Sequence, residues 1–100
     1  MSHYVVLAYD APGSAEPRLA RRDAHFAHVE RIVDSIAVAG PLKDDAGSAI
    51  GSLFVLKCDS AADAEAVLKS DPYFAAGVWE RWDVHPFVAA AGEWVGGKIW

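Results

Sequence analysis

The chain has a single cysteine, Cys58, so no internal disulfide can form. It has no block of Lys or Arg. Nine basic residues against fourteen acidic ones leave a formal charge of −5, which argues against nucleic acid or an anionic membrane surface as a partner. No apolar run approaches the roughly 20 residues of a membrane span. The Met-Ser-His-Tyr start lacks the basic flank and apolar stretch of a signal peptide, so the cytoplasm is the expected compartment. A phosphate-binding glycine loop and a dinucleotide fingerprint are both missing, and no cofactor is expected. Gly51-Ser52 lacks the G-x-S-x-G frame that a serine hydrolase needs.

What remains is rich in core-forming material. Hydrophobic residues make up 53% of the chain, among them four Trp, four Phe and three Tyr. One hundred residues read as one domain, 1–100, with a core over about 4–88. That many large aromatics exceed what one thin core hides, and some are expected at a subunit interface.

Residues 4–9 (YVVLAY) form a short β-branched and aromatic run that predicts a strand buried on both faces. From Pro17 to Ala39 the pattern predicts one long helix, with proline in its first turn and Gly40-Pro41 as its stop. At about 100° per residue, Leu19, Phe26, Val29, Ile32, Val33, Ile36 and Ala37 share an apolar arc expected to lie on a sheet. Residues 41–45 and 50–58 predict two strands joined through Ala46-Gly47-Ser48. Asp59-Ser60 opens a second helix, capped by Ser60 with Asp63 three residues on, and Ser70-Asp71-Pro72 closes it. A turn or short helix over 73–78 leads to a last strand at 79–88.

The order is β-α-β-β-α-β, the ferredoxin-like α+β pattern with an antiparallel sheet. Two helices cover one face of such a sheet. Strands as apolar as 4–9 and 52–56 then call for a second sheet on the other face, hence a homodimer. The apolar, glycine-rich tail 89–100 either closes a pocket or packs on the partner subunit.

Two ionisable residues break the amphipathic pattern of the first helix. Arg22 falls at the wheel angle of Val29 and Val33, and His25 lies at the edge of that arc. Buried ionisable groups need partners. In a ferredoxin-like fold both helices share one face, so Asp71, at the end of the second helix, can reach His25. A carboxylate that accepts from one imidazole nitrogen fixes the tautomer and raises the basicity of the other. The packing alternative is an Arg22 that snorkels to water and a satisfied histidine at the edge of the core. His25 and His28 have an i, i+3 spacing that can chelate, but His28 turns about 60° toward the polar side, and a metal site is not expected. His3 and His85 read as surface or strand-end residues, and Cys58 as an inert core thiol.

Arg22-Asp23-Ala24-His25, Ala39-Gly40-Pro41-Leu42, Gly51-Ser52-Leu53, Asp71-Pro72-Tyr73 and Pro86-Phe87 resemble, in order and spacing, the motif set of the YciI-like (YCII-related) family. The resemblance covers roughly 4–88. It implies a dimeric α+β barrel with a cleft beside the sheet and an active site on the His25–Asp71 pair. Some relatives look like lyases that remove halide from aromatic or phenolic compounds. The resulting expectation is a cofactor-independent lyase, isomerase or hydrolase acting on a small cyclic or aromatic metabolite. His25 and Asp71 would be catalytic, and Arg22, Tyr73 and Ser52 would bind substrate. The alternative is a non-catalytic dimer that uses the same cleft to bind a small molecule.

Overall fold

The computed structural model describes residues 2–99. Strand β1 (His3–Asp10) is followed by helix α1 (Ala15–Arg31), a short 3-10 turn and strand β2 (Ile36–Lys43). Next come β3 (Ala49–Lys57), α2 (Ala61–Lys69), the one-turn α3 (Pro72–Ala75) and β4 (Trp79–Phe87). A two-residue ladder, β5 (Ala91–Gly92) with β6 (Gly97–Lys98), ends the described chain. The main sheet runs β2-β3-β1-β4 with every neighbour antiparallel, which is the ferredoxin-like arrangement.

Local chemistry accounts for the turns. Asp44 Oδ1 accepts from the backbone N–H groups of Ala46 and Ser48, and Gly47 takes a φ of 87°, closing the β2–β3 hairpin. The Ser60 hydroxyl accepts from Asp63 N at 3.1 Å, so the predicted cap of α2 is present. Register puts Val6 beside Phe54 and Val84, and Ala8 beside Ser52 and Trp82, on the face toward the helices. With Leu56, Ala64, Leu68 and Tyr73 these residues build the core. Glu80 is skipped where β4 meets the end of β1, a bulge that lets Trp79 join the core while Trp82 packs against it. The opposite face carries Val5, Leu7, Val38, Leu53 and Val55, and among the described residues the helix side chains of the core pack on the first face instead.

Three expectations for the first helix need correction. The helix ends at Arg31, not Ala39, and residues 36–43 are strand β2, which displaces the strand expected at 41–45. Asp34 and Ser35 favour a turn, and Val33, Ile36 and Val38 are β-branched, so the segment leaves the helix once pairing with β3 is available. The apolar arc does not lie on the sheet: Leu19, Phe26 and Val33 are 67%, 57% and 54% exposed. The inward face is polar instead, formed by Ser14, Arg18, His25 and His28, and is rotated roughly a quarter turn from the expected one. Arg22 is accordingly exposed rather than buried.

In the tail Trp94 stands 82% exposed, whereas Trp100 lies outside the described residues. Among the described residues no helix is long and apolar enough to cross a membrane.

Candidate functional site

Helix α1 stands off the β2–β3 half of the sheet, and a cleft of about 680 Å³ fills the gap. That volume lies within the usual range for small-molecule sites. Its apolar walls come from Leu19, Phe26 and Val29 on one side and Pro41 and Phe54 on the other. Its polar lining is Arg18, Arg22, His25, Lys43, Ser48, Ser52 and Tyr73, with no carboxylate among the lining residues. A chain of net charge −5 thus presents a cationic hollow.

Asp71 is fixed by the chain around it. It caps α3 ahead of Pro72, and its Oδ1 accepts from Tyr73 N at 2.8 Å. The carboxylate is 2% exposed and faces back across to α1. There His25 Nδ1 lies 2.9 Å from Oδ1 and 2.8 Å from Oδ2. A carboxylate only accepts, so a neutral imidazole paired with it carries its proton on Nδ1 and its lone pair on Nε2. His25 lines the cleft, and Nε2 has no protein partner among the described residues. The Tyr73 ring stacks on the imidazole with centroids 4.0 Å apart. Tyr73 in turn meets Trp79 edge-on at 5.8 Å. Burial pushes the Tyr73 phenol above its usual pKa, an effect that the nearby Arg18 charge opposes, so the hydroxyl stays protonated at neutral pH.

The other pole of the cleft holds a pair that the sequence reading missed. Arg18 Nε donates to Asp10 Oδ2 at 2.6 Å and Nη2 donates to Oδ1 at 2.9 Å, a bidentate fork. Nη2 also reaches Gly51 O and Ser52 Oγ, each at 3.1 Å. Burial works against the Arg18 cation, but the Asp10 hydrogen bond and charge prevail and raise its pKa. Spacing was the available signal: Arg18 precedes His25 by seven residues, two turns on one helix face, and an aspartate ends the buried strand β1.

The five sequence candidates therefore fall in one place. His25, Arg22, Tyr73 and Ser52 line the cleft, and Asp71 stands behind His25. Arg22 has no ion pair among the described residues. His28 departs from its expected polar orientation. It is 7% exposed with Nε2 3.4 Å from Ser70 Oγ, and burial lowers its pKa. Cys58 donates weakly to Ser60 O, and burial raises its thiol pKa.

These features define a ferredoxin-like α+β protein with an imidazole–carboxylate pair at a cationic cleft. Residues 2–88 match the YCII-related domain, and the chain belongs to that family. It is 38% identical over 92 residues to Protein YciI of Escherichia coli O6:H1, covering 84% of this chain and 94% of that protein. An uncharacterized protein of Haemophilus influenzae is 31% identical over 93 residues, covering 85% and 95%. In structure the chain is similar to 5-chloro-2-hydroxyhydroquinone dehydrochlorinase of Burkholderia phenoliruptrix AC1100, solved in complex with 2,5-dihydroxybenzoquinone. That likeness has a TM-score of 0.78 at 24% identity and covers 91% of this chain and 96% of that one. A protein of Agrobacterium tumefaciens aligns with a TM-score of 0.53 at 15% identity over 90% and 94% of the two chains.

Proposed function

We propose that the protein is a cofactor-independent enzyme that moves a proton on a small cyclic or aromatic metabolite, with His25 as general base and acid. The observation that carries this reading is the His25–Asp71 contact of 2.8–2.9 Å beside an open cleft. Asp71 holds the imidazole in the tautomer whose Nε2 accepts a proton, and it stabilises the imidazolium that forms. In an elimination Nε2 takes a proton from the substrate, the electron pair of the broken bond to that hydrogen becomes the new double bond, and the leaving group departs as an anion. Arg22, Ser52 and Tyr73 bind the substrate, and Arg22 balances its negative charge. Cys58 does not line the cleft, so the chain's one thiol stands outside this chemistry. The dehydrochlorination performed by the Burkholderia protein on a hydroxylated ring is chemistry of this type.

The same reading places the working unit in the cytoplasm as a homodimer. Its contact is the sheet face of Val5, Leu7, Val38, Leu53 and Val55, with tail residues 89–99 of one copy packed on its partner.

The test is a turnover screen across halogenated and hydroxylated rings and lactones, with wild type and His25→Ala side by side. The expected result is turnover that falls about 10²-fold or more in the variant. Turnover undiminished by the substitution removes the pair from the mechanism. Wild-type binding without any turnover leaves a binding module in place of an enzyme.

A further inference from the structure

Arg18 and Asp10 are both largely withdrawn from water, at 13% and 8% side-chain exposure, yet Arg18 also lines the cleft. Its contacts to Asp10, Gly51 and Ser52 use Nε and Nη2. Nη1 makes none of these contacts, and the guanidinium carbon lies over the Tyr73 ring, 5.2 Å from its centroid. Ser52 Oγ accepts from Arg18, so its own hydrogen remains available to donate. The Tyr73 phenol is held protonated and can donate as well. One pole of the cleft is therefore a cluster of donors, and the group it fits is an acceptor. Arg22 and Lys43 line the same hollow without an ion pair among the described residues and add positive field. Because Asp10 neutralises Arg18, Arg18 supplies direction and the other two supply charge.

Distance narrows the ligand further. Arg18 and His25 both flank Tyr73: the imidazole centroid lies 4.0 Å and the guanidinium carbon 5.2 Å from its ring centroid, so the two groups lie within about 9 Å of each other. A single six-membered ring, hydrogen-bonded at one end through an oxygen, fits that interval. Phe26, Leu19, Phe54 and Pro41 supply flat apolar walls for such a ring.

We propose that Arg18, forked on Asp10, is the specificity-determining residue of the cleft. With Ser52 and Tyr73 it binds an ionised oxygen at one end of a planar ring, while the opposite end of the ring faces His25. This inference rests on the ring substrate proposed above and assigns its charge and the residue that reads it.

The test is calorimetric binding of two probes to the full chain: anionic 2,5-dihydroxybenzoquinone and neutral benzene-1,4-diol. Wild type binds the anionic ring at least about tenfold more tightly, the margin of one charge-assisted contact. Arg18→Gln alone strands a buried carboxylate, so the informative variant is the double change Asp10→Asn, Arg18→Gln, with its fold checked by circular dichroism. In that variant the preference falls severalfold, because Arg22 and Lys43 remain, and the affinity for the neutral ring is kept. Ser52→Ala, a smaller change, weakens the anionic ring severalfold and leaves the neutral one alone. Equal wild-type affinity for both rings overturns the inference, as does a preference undiminished in the folded double variant or in Ser52→Ala. The two readings fail separately. Turnover in His25→Ala judges the proton-transfer reading, whereas an anion preference retained in that same variant is what this inference requires.

Discussion

The Tyr73 ring lies parallel to the His25 imidazole, with centroids 4.0 Å apart and planes inclined by 9°. Two residues earlier in the chain, Asp71 holds the same imidazole by its Nδ1 edge. A single turn of backbone, with Asp71 Oδ1 bonded to Tyr73 N, thus fixes His25 by edge and by face. Removing the ring by Tyr73→Ala empties core volume against Trp79 and is expected to cost about 3–5 kcal/mol. Tyr73→Phe keeps the stack and is expected to change stability little. Urea denaturation of the two variants checks the contrast, and equal losses would assign the stability to the hydroxyl instead of the ring.

The phenol itself offers a pH prediction. Burial raises the Tyr73 pKa above its ordinary value. The folded protein therefore holds this proton to higher pH than the unfolded chain does. Its contribution to stability is complete below the ordinary tyrosine value near about 10 and is lost as pH rises past it. Tyrosinate absorbance should contain a late step that Tyr73→Phe deletes.

Asp71→Asn separates tautomer from fold. Asparagine also caps a helix, so α3 and its packing should persist. The amide can donate toward Nδ1, which inverts the imidazole and leaves Nε2 protonated. Nitrogen-15 shifts of His25 should report the switch from Nδ1–H to Nε2–H. Any turnover found should fall by about 10²- to 10⁴-fold. An unchanged His25 spectrum would mean that Asp71 does not set the tautomer.

His28 gives the opposite pH sign to Tyr73. Its folded pKa lies below the ordinary histidine value, chiefly because burial disfavours the cation, with Arg31 and His25 adding repulsion and Asp71 opposing them. At mildly acidic pH the unfolded chain binds this proton first. Stability is therefore fully present above the ordinary histidine value and falls as pH drops through it. The melting temperature of wild type should fall between about pH 7.5 and about pH 5.5, and His28→Gln should show a smaller fall.

Strands β1, β3 and β4 and the second helix were legible because their signals are local. Apolar runs at 4–9 and 52–56, Ser60 with Asp63, and Asp71-Pro72 each act within a few residues. The His25–Asp71 meeting followed from topology, since both helices share one face of the sheet. The orientation of α1 was not legible. Amphipathic reasoning assumes that apolar residues face a core, but this helix faces a ligand cleft. Its inward contacts are Arg18, His25 and His28, and Leu19 and Phe26 form the wall of a hollow. Arg18 was missed for the same reason, because its partner Asp10 is revealed only once β1 lies beneath the helix. The end of α1 was misplaced because Val33, Ile36 and Ala37 keep helical spacing. Pairing of residues 36–43 with β3, a long-range effect, decided otherwise.

Gly51 tests how tightly the sheet supports the site. A Cβ there would lie 2.6 Å from Ala8 O, a backbone atom of β1 that cannot swing aside, and 3.1 Å from Leu42 Cδ1. Gly51→Ala must therefore part β1 from β3 locally, at about 2 kcal/mol. Because Gly51 O and the adjacent Ser52 both accept from Arg18, the shift should also loosen the Arg18 pole of the cleft. Denaturation midpoints measure the first effect, and affinity for 2,5-dihydroxybenzoquinone measures the second. A fully stable Gly51→Ala would mean that the two strands have room that the contact distances deny.

The opposite sheet face yields the last prediction. Val5, Leu7, Val38, Leu53 and Val55 alternate with core residues along their strands, so their side chains leave the helix face. An antiparallel sheet can show one face to water, but such a face reads polar, and the β1–β3 centre of this one reads aliphatic. A second copy supplies the same aliphatic surface, and a two-fold axis lets each strand set meet its equivalent. Sedimentation of the 10.7 kDa chain at micromolar concentration should therefore report a species of twice that mass. Leu7→Glu places a charge at the middle of the proposed contact without touching the cleft and should shift the protein toward monomer. A wild-type monomer, or a dimer indifferent to Leu7→Glu, would assign that face to solvent or to another contact.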